Sequence, residues 1–170
     1  MAFETSEQPS LGFDALYRAT SSDVFAYVAS IVGDRTTAED VTAAAFERAW
    51  RRRTSFDARR GSRRAWLFGI ARNAALDELR RRRRTATLVG DPPDAAAPDP
   101  SAVDDEAAAR RAAVAVALAG LDARERDLIG LRFHGGLTVP EIARVLGVSE
   151  RAAAMRVHRA VTNLREACHV

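Results

Sequence analysis

Apolar residues recur at spacings of three and four along most of the chain, and no stretch sustains a polar–apolar alternation. That is the signature of amphipathic helices rather than half-buried strands. Between Leu11 and Val32 the apolar set is Phe13, Leu16, Tyr17, Val24, Val28, Ile31 and Val32. Its interruption at Thr20–Ser22 predicts either one kinked helix or two short ones, closed by Gly33. Thr36 and Glu39 have capping-box spacing and predict a second helix through Val41, Ala45, Ala49 and Trp50. The pattern then lapses. RRRTSFDARRGSRR, Arg51 to Arg64, is too polar for a core and is punctuated by Gly61, which predicts a basic loop carrying one aromatic, Phe56. Ser62 is placed to cap a third helix through Trp66, Leu67, Ile70, Ala71, Ala74 and Ala75, running on into Arg80–Arg84.

Thr85 to Glu106 holds four prolines and six acids and too little apolar content to fold alone. It reads as a flexible acidic linker. The helical pattern resumes from Ala107 to Leu121; Asp122 and Glu125 cap a further helix that ends near Gly135–Gly136. The expected fold is all-α, with two small helical domains over residues 10–84 and 107–168 and the linker over 85–106.

The sharpest local signal lies between Thr138 and Arg165. Thr138 and Glu141 form a capping box, with Pro140 in the first turn, where a missing N–H costs nothing. Ile142, Val145 and Leu146 supply a short apolar face, and Gly147 allows the sharp exit that a residue with a Cβ resists. Val148 points the turn into a core, Ser149 caps the next helix, and small Ala143 lets two helices approach closely. This is a helix-turn-helix, whose second helix presents side chains to a DNA groove.

Charge sharpens the picture more than composition does. The net charge is only +3, but residues 48–84 carry fourteen arginines against three acids, whereas residues 1–47 carry eight acids against two arginines. Lysine is absent. Eight arginines between Arg48 and Arg64 would repel one another without a polyanion to neutralise them. Beside Phe56, Trp66 and Phe68 they suit single-strand capture, in which bases rest on rings while arginines hold phosphates. Trp50 reads as a core residue. The single cysteine, Cys168, rules out a disulfide within the chain, and the lack of a long apolar run or signal pattern predicts a cytoplasmic protein. His134, His158 and the Cys168–His169 pair lack a recognised ligand spacing, so no metal and no cofactor is expected. Phosphate-binding loops and nucleophile motifs are likewise missing, so no catalytic residue and no enzyme activity is expected.

Taken in order, these blocks resemble a bacterial extracytoplasmic-function (ECF) sigma factor, a promoter-recognition subunit of RNA polymerase. LYRATSSDVFAYVASIVGDRTTAEDV is similar to the start of sigma region two, and GSRRAWLFGIARNAALDELRRRRR to the segment that melts and reads the minus-ten element. LDARERDLIGLRFHGGLTVPEIARVLGVSERAAAMRVHRA resembles region four, which reads the minus-thirty-five element. The resemblance implies that the loop Thr54–Arg64, with Phe56, Arg59 and Arg60, captures a flipped base, and that Arg63, Arg64, Arg72, Asn73 and Arg80 touch melted or duplex DNA. It assigns the recognition surface to Ser149, Glu150, Arg151, Ala154, Met155, Arg156, His158 and Arg159. Asp40, Ala43, Ala44 and Glu47 fall where the family docks on core polymerase. The implied partners are core RNA polymerase and promoter DNA, duplex and melted, with an anti-sigma protein left open. Two departures stand out: Ala43–Ala44 replaces a Gln-Glu-like pair, and Ala152–Ala154 replaces a Thr-Val-Lys-like run. The alternatives are a helix-turn-helix regulator that no longer docks on polymerase, favoured by Ala43–Ala44, and a sigma mimic that titrates polymerase or an inhibitor.

Overall fold

A computed structural model describes residues 8–89 and 105–168, and among them every regular element is helical. Helix α1 spans Gln8–Val32 without a break. The polar interruption is absorbed because the buried Thr20 hydroxyl donates back to the Leu16 carbonyl at 2.6 Å, leaving no polar group stranded. Helix α2 spans Arg35–Arg51, and its cap is Asp34 rather than the expected Thr36. Asp34 has the extended backbone a cap requires and accepts from the Thr37 N–H at 2.8 Å, while Thr36 already lies inside the helix.

Two 3-10 turns, Arg53–Ser55 and Ala58–Arg60, give the basic loop more local structure than its composition suggests. Helix α3 then runs from Arg63 to Val89 behind Ser62, whose hydroxyl accepts from the Ala65 N–H. It extends five residues past the point where a linker is expected; residues 90–104, the heart of that expected linker, lie outside the described residues. Arg82 of α3 reaches Asp34, the Thr37 hydroxyl, the Val32 carbonyl and Glu78, tying the far end of α3 to the α1–α2 turn.

The second unit comprises α4 (Asp105–Gly120), α5 (Ala123–Phe133), α6 (Val139–Leu146) and α7 (Glu150–Cys168). The capping boxes of Asp122 with Glu125 and Thr138 with Glu141 form, whereas the one anticipated between Thr36 and Glu39 does not. Gly147 adopts φ 66°, ψ 38°, the left-handed turn between α6 and α7, and the Ser149 hydroxyl accepts from the Ala152 N–H. Asn163 on α7 donates to Glu125 at 2.5 Å and fixes α7 against α5.

In the first unit Val24, Tyr27 and Val28 of α1 meet Leu67, Phe68 and Ala71 of α3, with Ala38, Ala45 and Ala49 letting α2 pack closely. In the second, Leu128, Leu131, Leu137, Ile142, Ala153, Val157 and Ala160 fill the interior. Each fully buried large side chain contributes about 1.5–3 kcal/mol. The two cores are continuous, because Tyr27, whose ring lies against Phe68, sits directly beneath α5 at Gly130. A Cβ on Gly130 would stand 2.6 Å from the Tyr27 ring, so only glycine allows α1 and α5 this approach.

Candidate nucleic-acid interface

The outer face of α7 is the clearer of two candidate nucleic-acid surfaces. Ala153, Val157 and Ala160 point inward, which turns Arg151, Ala154, Met155, Arg156, His158 and Arg159 to solvent. Ser149 and Glu150 open the same helix and are exposed. Residues three and four apart share a helix face, so burial of that inner stripe places Arg151, Ala154 and Met155 together, with His158 one turn on. Met155 is 66% exposed, unusual for its type and suited to an apolar contact with a base methyl group.

The second surface is the loop before α3. Asp57 accepts from the Arg59 N–H and organises the second 3-10 turn, and Gly61 closes it at φ 142°, a conformation open to glycine. Phe56 is half-buried with its ring 5.6 Å from Trp66, and Arg63 lies 5.4 Å from the Phe56 ring. Arg59, Arg60 and Arg63 are exposed. The crowding of like charge is partly relieved inside the chain: Arg48 meets Asp77, Arg51 meets Glu47, and Arg53 stacks on Trp50 at 3.9 Å. Trp50 itself is 39% exposed, so it is a rim residue packed on Phe13 rather than the core residue its pattern predicts. It sits at the end of α2 where the helix leaves the core.

Two other anticipated DNA contacts are engaged elsewhere. Arg64 pairs with Asp23 at 2.5 Å and donates to the carbonyls of His134 (3.0 Å) and Gly135. Arg72 donates to Asp127 at 2.7 Å, and the other oxygen of Asp127 accepts from the Tyr27 hydroxyl at 2.7 Å. Burial first, and the neighbouring Asp127 charge second, hold the Tyr27 phenol well above its ordinary range, so it stays a donor at every working pH. Burial likewise pulls the His134 imidazole down, against the opposing charge of Asp23. Asn73 is exposed, and Arg80 is exposed and paired with Asp77. Sequence reasoning missed Asp23 and Asp127 as partners of these arginines, and with them the Tyr27–Asp127 and Ser62–Glu141 hydrogen bonds and the approach of Gly130 to the Tyr27 ring. A lone acid at Asp127, on the apolar stripe with Leu128 and Leu131, is the one signal that was there to read.

Along α2, Asp40, Ala43 and Glu47 are exposed. Asp40 and Ala44 line an open groove of about 420 Å³ between α2 and α3, whose walls include Thr37, Arg48, Asp77 and Arg81. Among the described residues no cluster of side chains is arranged to hold a metal ion, and no helix is long and apolar enough to cross a membrane.

A three-helix unit with a basic, aromatic loop, followed by a helix-turn-helix unit, defines the sigma-70 class of transcription initiation factor. Residues 16–85 match the Sigma-70 region 2 family and residues 117–166 match Sigma-70, region 4. The ECF RNA polymerase sigma factor SigL of Mycobacterium tuberculosis is 36% identical over 151 residues, covering 89% of this chain and 85% of SigL. BldN of Streptomyces coelicolor, another ECF sigma factor, is also 36% identical, and the chain spans 58% of its length. Among solved structures, the sigma factor RpoE in complex with the anti-sigma factor NepR from Bartonella quintana aligns with TM-score 0.78 at 25% identity, over 94% of this chain and 98% of that one. CnrH, solved with the cytosolic domain of CnrY, aligns with TM-score 0.65 at 30% identity over 92% of this chain and 87% of that one. The chain belongs to the ECF RNA polymerase sigma factors.

Proposed function

We propose that this sigma factor directs RNA polymerase to its promoters by dividing recognition between two surfaces of one chain. The outer face of α7 reads duplex DNA, and the loop Thr54–Arg64 receives a base from the opened strand. The observation that carries this reading is the clean sorting of α7: its inner stripe is buried, and every side chain assigned to recognition faces solvent. Arg151 and Arg156 supply the charged anchors, and Phe56 with Trp66 offers an aromatic platform beside Arg59, Arg60 and Arg63. Phosphate contacts supply sequence-independent affinity, and the few side chains that reach base edges supply specificity.

The groove between α2 and α3, with Asp40, Ala44 and the exposed Ala43 and Glu47 beside it, is the surface proposed to dock on core polymerase. Methyl side chains at Ala43 and Ala44 shift that contact from hydrogen bonding to packing and to the flanking carboxylates. An anti-sigma partner is a further reading, supported by RpoE and CnrH, which were solved with NepR and with the cytosolic domain of CnrY. The deciding experiment is reconstituted transcription with core polymerase and a selected promoter. Promoter-dependent transcripts are the expected result. Co-purification with core polymerase without transcription would point to a sigma mimic, and DNA binding without co-purification to a regulator that works alone.

A further inference from the structure

A second group of aromatic rings reaches the surface just ahead of the loop that carries Phe56. Phe13 and Tyr17 of α1 meet Trp50 and Phe46 of α2 edge-on, with centroids 5.1 Å apart for Phe13–Trp50 and 4.7 Å for Tyr17–Phe46. Phe46 is buried beneath the others and anchors the first turns of α1. Anchoring does not need the outer rings in water, yet Tyr17 is 48% and Trp50 39% exposed. Large aromatic surface left open on one cluster marks a contact site. Charge decides what it takes. The carboxylates beside the rings are already used, Asp14 by Arg18 and Glu47 by Arg51. Arg52 is exposed and meets no carboxylate among the described residues. Arg53 lies over the Trp50 ring at 3.9 Å and donates to the Trp50 carbonyl. Open rings beside surplus positive charge suit unstacked bases and their phosphates.

The cluster continues the base-capturing loop, because neighbouring residues of α1 touch both. Arg63, which lies over the Phe56 ring, places its guanidinium where a side chain on Gly12 would stand, and Phe13 packs on Trp50. Resting on the reading of the loop Thr54–Arg64 as the receiver of one base, we propose that Tyr17, Trp50, Arg52 and Arg53 form a second platform for the adjoining stretch of the opened strand. The two outer rings stack a further base, Arg52 binds its phosphate, and Arg53 fixes the indole in place.

The test uses the full chain assembled with core polymerase and fluorescent single strands. One strand is the minus-ten sequence of a selected promoter alone, and a second adds about four nucleotides on each side. A third replaces the added bases with abasic sites. The extended strand should bind the wild type about tenfold tighter than the short one. Tyr17→Leu or Trp50→Leu should remove most of that gain and leave the short strand bound as before, and Trp50→Phe, which keeps a ring, should restore it. Affinity for the abasic strand should not depend on Tyr17 or Trp50. Arg52→Gln should lower the salt slope on the extended strand by about one single-strand phosphate's worth. Should Trp50→Leu fail to fold, the more exposed Tyr17→Leu still decides. An extended strand that binds no tighter than the short one, a gain that both ring variants keep, or a gain the abasic strand reproduces in full overturns the platform. Loss of co-purification with core polymerase in the ring variants would assign the rings to a protein contact and overturn it equally. Phe56→Leu separates the two readings: if it leaves the short strand bound as before, the loop loses its base, while the ring variants still judge the second platform on the extended strand.

Discussion

Arg151 stands at the start of α7 with its side chain in solvent and no carboxylate partner among the described residues. If it reaches a guanine edge with both arms, Arg151→Ala should cost about 1–3 kcal/mol of promoter affinity and relax preference at a single base pair. Fluorescence anisotropy on the promoter and on a scrambled duplex checks this; equal weakening of both would reassign Arg151 to a phosphate. Ala154 faces outward, whereas its neighbour Ala153 is fully buried. Ala154→Lys should therefore strengthen binding to any duplex and steepen the salt dependence by about one phosphate's worth. The same pair of alanines shows how far a residue can be read without a fold. Helical periodicity from the cap at Ser149 places Ala153 inside and Ala154 outside.

At the scale of elements, the basic loop and α3 divide labour that composition presents as uniform. Arg59, Arg60 and Arg63 are exposed, but Arg64 is committed to Asp23 and to the carbonyl groups of His134 and Gly135 just past α5. Replacing Arg59, Arg60 and Arg63 with alanine, and sparing Arg64, should abolish strand opening while polymerase binding persists. Permanganate reactivity of thymines in the open complex is the readout, and unchanged reactivity would remove the loop from that role. The helix junctions carry a different prediction. Hydrogen bonds from Arg82 and from the Thr37 N–H hold Asp34 below its ordinary range. Arg81 does the same for Glu78 against an opposing effect of burial. Burial pushes Glu141 up, yet hydrogen bonds from Ser62 and Thr138 more than offset it. Carboxylates with lowered folded values contribute stability that is fully present above their unfolded values, near pH 4, and lost as pH falls through the folded ones. The urea midpoint should thus hold steady from pH 7 to about 5 and fall steeply below 4, and Asp34→Asn should flatten that fall.

For the whole molecule, one contiguous core runs from α1 through α5 to α7. The two units should therefore unfold in a single calorimetric transition at neutral pH. Asp127→Ala strands the buried Tyr27 hydroxyl and leaves the half-buried Arg72 without its carboxylate, and removing one member of a buried charge pair costs up to about 3–5 kcal/mol. The expected outcome is two resolved transitions; a single transition at an unchanged temperature would show that the polar cluster does not couple the units.

Local chemistry carried much of this protein into its sequence. The helical class, the capping boxes at Asp122 and Thr138, the left-handed Gly147, the Ser149 cap and the exposed face of α7 all depend on residues within a turn or two of one another. Such interactions are written in spacing. Where a local signal misled, a neighbour in the chain was the cause: Asp34 outcompeted Thr36 as a cap, and the back-bonded Thr20 hydroxyl kept α1 whole. The engagement of Arg64 and Arg72 was decided by tertiary structure alone. Their partners lie from 41 to 71 positions away, and the Tyr27–Asp127 bond spans 100. An arginine that binds a phosphate and one that binds a distant carboxylate look alike in a sequence, because charge and spacing name what a guanidinium can pair with and only the packing of two units selects which partner comes within 3 Å.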